Sequence, residues 1–372
     1  MERIKGILGF GGMRLPMKDG EVVIDEMNRM VDAFLEAGFN YFDTARVYIG
    51  GQGETAIRDC VVKRYPRDSF ILTDKLSDSL FNSEDEIRPL FEKQLESCGV
   101  DYFDFYLLHS QTKSIFEKYK KLHAYEHAFE LKKEGKVKHV GFSFHDTADV
   151  LDEMLNEYPE IEVVQIQLNY IDFDDPAVQA RLCYEVCRKH NKPVIVMEPV
   201  RGGKLADIPE QGKAIFDALH GGSPASYAIR YAADFDGVFM VLSGMSSMEQ
   251  VEDNTAYMQD MKPLTEKEQA ITLHAKEAYR RVWKYNCADF DKLDDNAAGV
   301  PISGIIRAYN SLLIQPNPYF GAELNYYKTF RSAYDRTFET ADYSAQTEVI
   351  GGAFDVNKAL RESIEFQAKN GF

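Results

Sequence analysis

The 372-residue sequence predicts an α/β fold: a (β/α)8 barrel of the TIM type with a C-terminal helical extension. Three observations carry this expectation. Eight strand-like runs, nearly all continuously apolar, fall at 7–10, 41–44, 70–75, 103–109, 137–144, 163–168, 193–198 and 238–244. Such runs suit a parallel sheet covered on both faces. Amphipathic stretches separate them, and eight β-then-α units in about 260 residues match this barrel in size. Polar residues then collect at the C-terminal ends of the runs, where barrels of this kind carry their chemistry.

The stretch 22–37 sets Val23, Met27, Met30, Val31, Phe34 and Leu35 at helical spacing. Further helices are expected at 87–97, 124–133, 147–157, 177–189, 225–233 and 248–258, and Gly53-Glu54 opens another. Gly38, Gly99 and Gly135 follow three of these stretches, where helix C-caps favour glycine. Gly9-Phe10-Gly11-Gly12 lacks the third glycine of a dinucleotide fingerprint, and no helix opens there. That sets aside a doubly wound sheet. From about Pro263 the composition changes. A helix is expected at 265–285, with Thr265 and Glu268 as a capping box. An acidic irregular stretch follows at 287–296, then helical pieces at 302–312, 324–337 and 357–368. The expected organisation is a barrel over 1–262 and an extension over 263–372 packed on it.

The net charge of −17 repels phosphate backbones and anionic lipid, so nucleic-acid and membrane-surface partners are set aside. No run approaches the roughly 20 apolar residues of a membrane span. The first residues carry no apolar stretch of signal-peptide length. Five scattered cysteines, an odd number, argue against a disulfide framework, and a reducing cytoplasm is the expected setting. Cys183 and Cys187, four apart on one helix face, read as core, because no further ligand is spaced to help a metal. His123, His127, Lys118, Lys120 and Lys121 read as a solvated face. Oligomeric state is left open.

Asp43, Tyr48, Lys75 and His109 sit at or just past the ends of three successive runs. Reducing a carbonyl takes a hydride at carbon and a proton at oxygen. A tyrosine can give the proton, but its ordinary pKa of about 10 makes it a weak acid. A nearby ammonium lowers that pKa. Lys75 is the candidate ammonium, Asp43 its counter-ion, and His109 a hydrogen-bond donor to the carbonyl oxygen. The hydride must come from a nicotinamide, since no side chain supplies one. Singly, each residue has a plainer role: a turn cap, a packed ring, a solvated strand end, a core histidine. In chain order on consecutive strands they point to one site.

This set resembles the catalytic tetrad of the aldo-keto reductases. The likeness runs from Ile4 to about Met258, through Gly9-Phe10-Gly11-Gly12, Gly53-Glu54, Asp104-Phe105-Tyr106-Leu107-Leu108-His109, Gly141-Phe142-Ser143, Asn169-Tyr170, Glu198-Pro199-Val200-Arg201-Gly202-Gly203 and Ser243-Gly244-Met245-Ser246-Ser247. The resemblance implies an oxidoreductase that interconverts an aldehyde, ketone or sugar and its alcohol, with NADP(H) or NAD(H) bound outside a Rossmann fold. It implies that Ser143 and Gln165 hold the nicotinamide amide and that Met197 takes the place of a stacking ring. Arg201, Gly202 and the amides of Gly244, Met245 and Ser246 would face the pyrophosphate. A second outcome consistent with it is a nicotinamide-binding regulatory or interaction module with little turnover.

Two departures bear on the cofactor. Many NADP-preferring relatives carry an arginine near Gln250, yet 243–254 holds no Lys or Arg. Glu252, Asp253 and Asn254 could instead face a ribose hydroxyl. Phe144-His145 also replaces a Ser-Asn pair. The tail resembles a ferredoxin-like extension. Aligned on Gly299-Val300-Pro301-Ile302, its first four cysteine positions become Cys287, Phe290, Leu293 and Asn296, and the second four Thr340, Tyr343, Gln346 and Ile350. A [4Fe–4S] cluster needs four thiolates, so no iron–sulfur cluster is expected. Loop position sets Phe10, Met13, Phe81, Phe144, Tyr170 and Trp283 around an apolar pocket.

Overall fold

The computed structural model describes residues 3–175, 178–207, 214, 216, 219, 222–270, 272–273, 340–349 and 355–369. Eight strands close into a barrel: β1 (Leu8–Gly11), β2 (Tyr41–Asp43), β3 (Ile71–Leu76), β4 (Phe103–Gln111), β5 (Val137–Phe144), β6 (Val163–Gln167), β7 (Val194–Met197) and β8 (Val238–Ser243). Each pairs in parallel with its sequence neighbours, and β1 closes the ring against β8.

Alternation along the strands divides the core in two. Tyr41, Ile71, Phe105, Leu107, Val163, Ile195, Met240 and Leu242 fill the barrel interior. Phe42, Leu72, Tyr106, Leu108, Phe142 and Val164 point outward into the larger core under the helices. Asp43 lies two residues beyond Tyr41, Lys75 four beyond Ile71, His109 two beyond Leu107 and Gln165 two beyond Val163. The same pleat that packs the interior therefore turns these four polar side chains inward at the C-terminal end.

The helices are α1 (Ile24–Glu36), α2 (Gln52–Ile57), α3 (Ile87–Cys98), α4 (Lys113–Lys121), α5 (Ala124–Lys133), α6 (Ala148–Glu157), α7 (Ala180–Lys189), α8 (Pro224–Ala233), α9 (Met248–Met258), α10 (Ser344–Val349) and α11 (Val356–Lys369). On α1, Met27, Met30, Val31 and Phe34 are buried, the stripe its spacing anticipates. Three elements go beyond the expected set, α10 among them. Met17–Lys18 pairs antiparallel with Glu21–Val22 across Asp19-Gly20, both at positive φ, a dipeptide that favours tight hairpins. The helix α4 precedes the expected α5.

Some expectations are corrected. Phe10 points outward and packs on Phe34 and Phe42, because its interior neighbours are glycines. Phe81 is buried against Tyr119. Neither lines a pocket. Lys118 is half-exposed, and its ammonium is also held by the protein, donating to the carbonyls of Asp78 and Phe81. Cys183 and Cys187 are buried in the core, as expected. Thr265 and Glu268 form the anticipated capping box, with the Thr265 amide donating to Glu268 Oε2 at 2.8 Å and the Glu268 amide to Thr265 Oγ1 at 3.3 Å. The last expected helix is α11. Trp283, Cys287, Phe290, Leu293, Asn296, Ile350 and the pieces at 302–312 and 324–337 lie outside the described residues. Among the described residues no cluster of metal-ligating side chains is found, and no helix is long and apolar enough to cross a membrane.

Candidate active site

The site is built from the β2 end outward. Asp43 ends β2, and Gly12 approaches it closely enough for its amide to donate to the Asp43 carbonyl at 2.7 Å. Lys75 crosses from β3: its Nζ donates to Asp43 Oδ1 at 2.6 Å and to the Thr44 carbonyl at 2.9 Å. Past β2 the chain turns sharply. Ile49, Gly50 and Gly51 all take positive φ, which swings Tyr48 back over the barrel end. The Tyr48 ring centroid lies 4.9 Å from Lys75 Nζ and 5.8 Å from the imidazole of His109, edge to face. All four expected residues of the tetrad are brought together.

Charge follows burial here. Burial alone would lower the pKa of Lys75, but Asp43 and Tyr48 override it and the shift is upward, so the ammonium persists. Burial raises the carboxyl of Asp43, against the pull of Lys75. Tyr48 corrects the sequence expectation. Burial raises its pKa more than Lys75 lowers it, so the net shift is upward. Its surface area leaves it half-buried, and the desolvation comes from the protein packed around it.

A second layer holds the first, and sequence reasoning missed most of it. The Lys75 amide donates to Asp74 Oδ1 at 2.8 Å, Gln94 Nε2 donates to the Lys75 carbonyl at 2.9 Å, and Tyr106 donates to Gln94 Oε1 at 2.6 Å. Arg46 reaches Glu54 and Ser97. Asp74 precedes Lys75 on a strand and so faces the helices, the one sequence signal that marked it. Ser77 Oγ lies 2.6 Å from His109 Nδ1, a contact between distant segments with no local signature.

Residues that could hold a nicotinamide dinucleotide line the same end. Ser143 and Gln165 are register partners on β5 and β6. Ser143 Oγ accepts from the Ser110 amide at 2.8 Å, which leaves its own proton to donate. Gln165 Oε1 is buried with no hydrogen-bond partner among the described residues. A carboxamide offers an acceptor and a donor, so the pair fits it. Met197 is half-buried at the end of β7. Arg201, at φ 49° before Gly202, is buried and its Nε meets Asp172 at 3.1 Å. Met245 is buried in the core. Ser246 donates from its amide to Gln250 Oε1 at 2.7 Å, Ser223 Oγ to Asp253 at 2.6 Å, and Asn254 to Ser243 Oγ at 2.7 Å. Arg14, which the stretch 243–254 cannot reveal, comes from the loop after β1 to lie beside Gly244 and 3.5 Å from Glu198.

The sequence profile described as the Aldo/keto reductase family matches residues 7–272. The chain belongs to this family. An aldo-keto reductase of Mycolicibacterium paratuberculosis is 29% identical over 255 residues, 68% of this chain and 80% of its relative. An NADH-specific methylglyoxal reductase of Escherichia coli is 27% identical over 278 residues, 61% of this chain and 81% of that protein. A crystal structure of an aldo-keto reductase from Klebsiella pneumoniae in complex with NADPH shares the fold, at TM-score 0.56 and 21% identity over 73% of this chain and 90% of that one. As an aldo-keto reductase, this protein is an oxidoreductase of the carbonyl–alcohol couple.

Proposed function

We propose that this aldo-keto reductase uses NADH or NADPH to reduce a small aldehyde, ketone or sugar, and runs the reverse oxidation on the alcohol, with Tyr48 as the acid/base. When bound, the dihydronicotinamide supplies the hydride to the carbonyl carbon. Tyr48 gives its phenolic proton to the substrate oxygen. Lys75 stabilises the phenolate left behind, and Asp43 keeps Lys75 charged and fixed. His109 donates to the same oxygen and holds it beside Tyr48. Ser143 and Gln165 would hold the nicotinamide amide, and Arg201, Gly202 and the 244–246 backbone the diphosphate side.

The observation that carries this function is the buried Lys75–Asp43 pair, set 2.6 Å apart with the Lys75 ammonium under the Tyr48 ring. Residues 1–262 would form the catalytic barrel and 263–372 an extension beside it. Free, buried Cys60, Cys98, Cys183 and Cys187 accord with a reducing, cytoplasmic setting. The test is Tyr48→Phe assayed on a carbonyl panel. Loss of the proton donor should lower kcat about 100- to 10,000-fold while NADH or NADPH still binds. Unchanged turnover would overturn the proposal.

A further inference from the structure

Ser77 lies two residues beyond Lys75, just past the end of β3, and opens the short turn Asp78–Leu80. A serine at such a position ordinarily caps the turn's amides with its hydroxyl. Here the Ser77 carbonyl accepts from the Leu80 amide at 3.1 Å, but its side chain caps nothing. The hydroxyl turns instead to His109, with Oγ 2.6 Å from Nδ1 and both side chains buried. The segment that presents it is clamped on both sides. Tyr119 donates to the Leu76 carbonyl at 2.6 Å, and Lys118 to the carbonyls of Asp78 and Phe81.

We propose that Ser77 is a positioning residue that sets the tautomer of His109, keeping the imidazole proton on Nε2. A hydroxyl carries one proton and two acceptor sites, and a neutral imidazole one donor and one acceptor. Among the described residues, His109 Nδ1 is the one partner of Ser77 Oγ. If Nδ1 held the proton, Ser77 would accept it and its own hydroxyl proton would be buried with no acceptor. If Ser77 donates to a bare Nδ1, that proton is satisfied. The second arrangement leaves the ring proton on Nε2, the nitrogen remote from Ser77. That edge can donate to a carbonyl oxygen. The inference rests on His109 acting as that donor, as proposed above.

The test is ring-nitrogen NMR of His109 in the full chain at neutral pH, with Ser77→Ala, Ser77→Thr and His109→Gln as variants. In the unaltered protein Nδ1 should be unprotonated and Nε2 protonated. Ser77→Ala should shift His109 toward the other tautomer and lower kcat about tenfold, the worth of one neutral hydrogen bond, with NADH affinity unchanged. Ser77→Thr keeps the hydroxyl and should restore both signals. A protonated Nδ1 in the unaltered protein overturns the proposal, and that spectrum decides even if Ser77→Ala fails to fold. Unchanged tautomer and kcat in a folded Ser77→Ala overturn it as well. If His109→Gln retains full turnover, the role of His109 itself is wrong. If His109→Gln is slow while Ser77→Ala is not, Ser77 alone is.

Discussion

Lys75 Nζ and Asp43 Oδ1 stand 2.6 Å apart with their side chains 1% and 3% exposed. A pair this deeply buried is held together by mutual need. Removing one partner leaves the other charge in a low-dielectric site, which costs about 3–5 kcal/mol. Asp43→Asn keeps the shape and removes the charge. It should lower the urea unfolding midpoint by the equivalent of about 3 kcal/mol and, on the proposed mechanism, depress kcat at least tenfold, since the ammonium beside Tyr48 is no longer held. Urea titration followed by far-ultraviolet circular dichroism, with an assay at the same pH, checks both.

Gly12 tests how tightly the β2 end is positioned. A Cβ at this residue would meet the Asp43 carbonyl oxygen at 2.7 Å, and backbone cannot yield as a flexible side chain does. Gly12→Ala should push the Asp43 backbone away and loosen the Lys75 contact. Overpacking of this kind typically costs about 1–3 kcal/mol. We expect lower kcat together with lower thermal stability. Full activity would mean that the β1–β2 approach does not set the site.

The inward placement of Asp43, Lys75, His109 and Gln165 was legible in the sequence because it follows from strand alternation. Asp43, His109 and Gln165 each lie two residues after an apolar interior residue, and Lys75 lies four after Ile71. What stayed hidden depends on other causes. Ser77 meets His109 across 32 residues, and Arg14, from the loop after β1, lies beside Gly244, which follows the last barrel strand. No local period marks either contact. The upward shift of Tyr48 is a balance of burial against the charge of Lys75, and only the packed structure says which dominates. Phe10 and Phe81 were misplaced because loop position does not say which face a side chain takes. The Asp19-Gly20 hairpin was readable from its turn dipeptide and was missed.

Cofactor preference should follow from charge at the start of α9. Gln250 is exposed there, its Oε1 engaged by Ser246, with Glu249, Glu252 and Asp253 as neighbours and no Lys or Arg in 243–254. A 2′-phosphate near this acidic turn lacks a cationic partner from the turn itself. Fluorescence titration should therefore show NADH binding more tightly than NADPH. Gln250→Arg should strengthen NADPH binding about tenfold and leave NADH nearly unchanged. Equal response of both cofactors would place the 2′-hydroxyl elsewhere.

Glu162 separates stability from catalysis. It precedes β6 at the barrel end opposite the site, where it accepts from Lys132 Nζ at 2.6 Å and the Val140 amide at 3.1 Å and meets His139 Nδ1 at 3.0 Å. Burial works to raise its pKa, but these partners override it and lower it from 4.5 to about 2. The folded carboxyl thus binds its proton less readily than the unfolded one. Its contribution is complete above the ordinary carboxylate range, drains as pH falls from about 4.5 toward 2, and is gone below that. The side chain is 28% exposed, so screening reduces the contribution to about 1 kcal/mol at neutral pH. Glu162→Gln should lose that amount at pH 7 and flatten the fall in stability between pH 5 and pH 2, while kcat stays near its starting value because the site lies at the other end. Thermal melts across this pH range, paired with assays at pH 7, test both halves; a fall in kcat without a loss of stability would contradict the assignment.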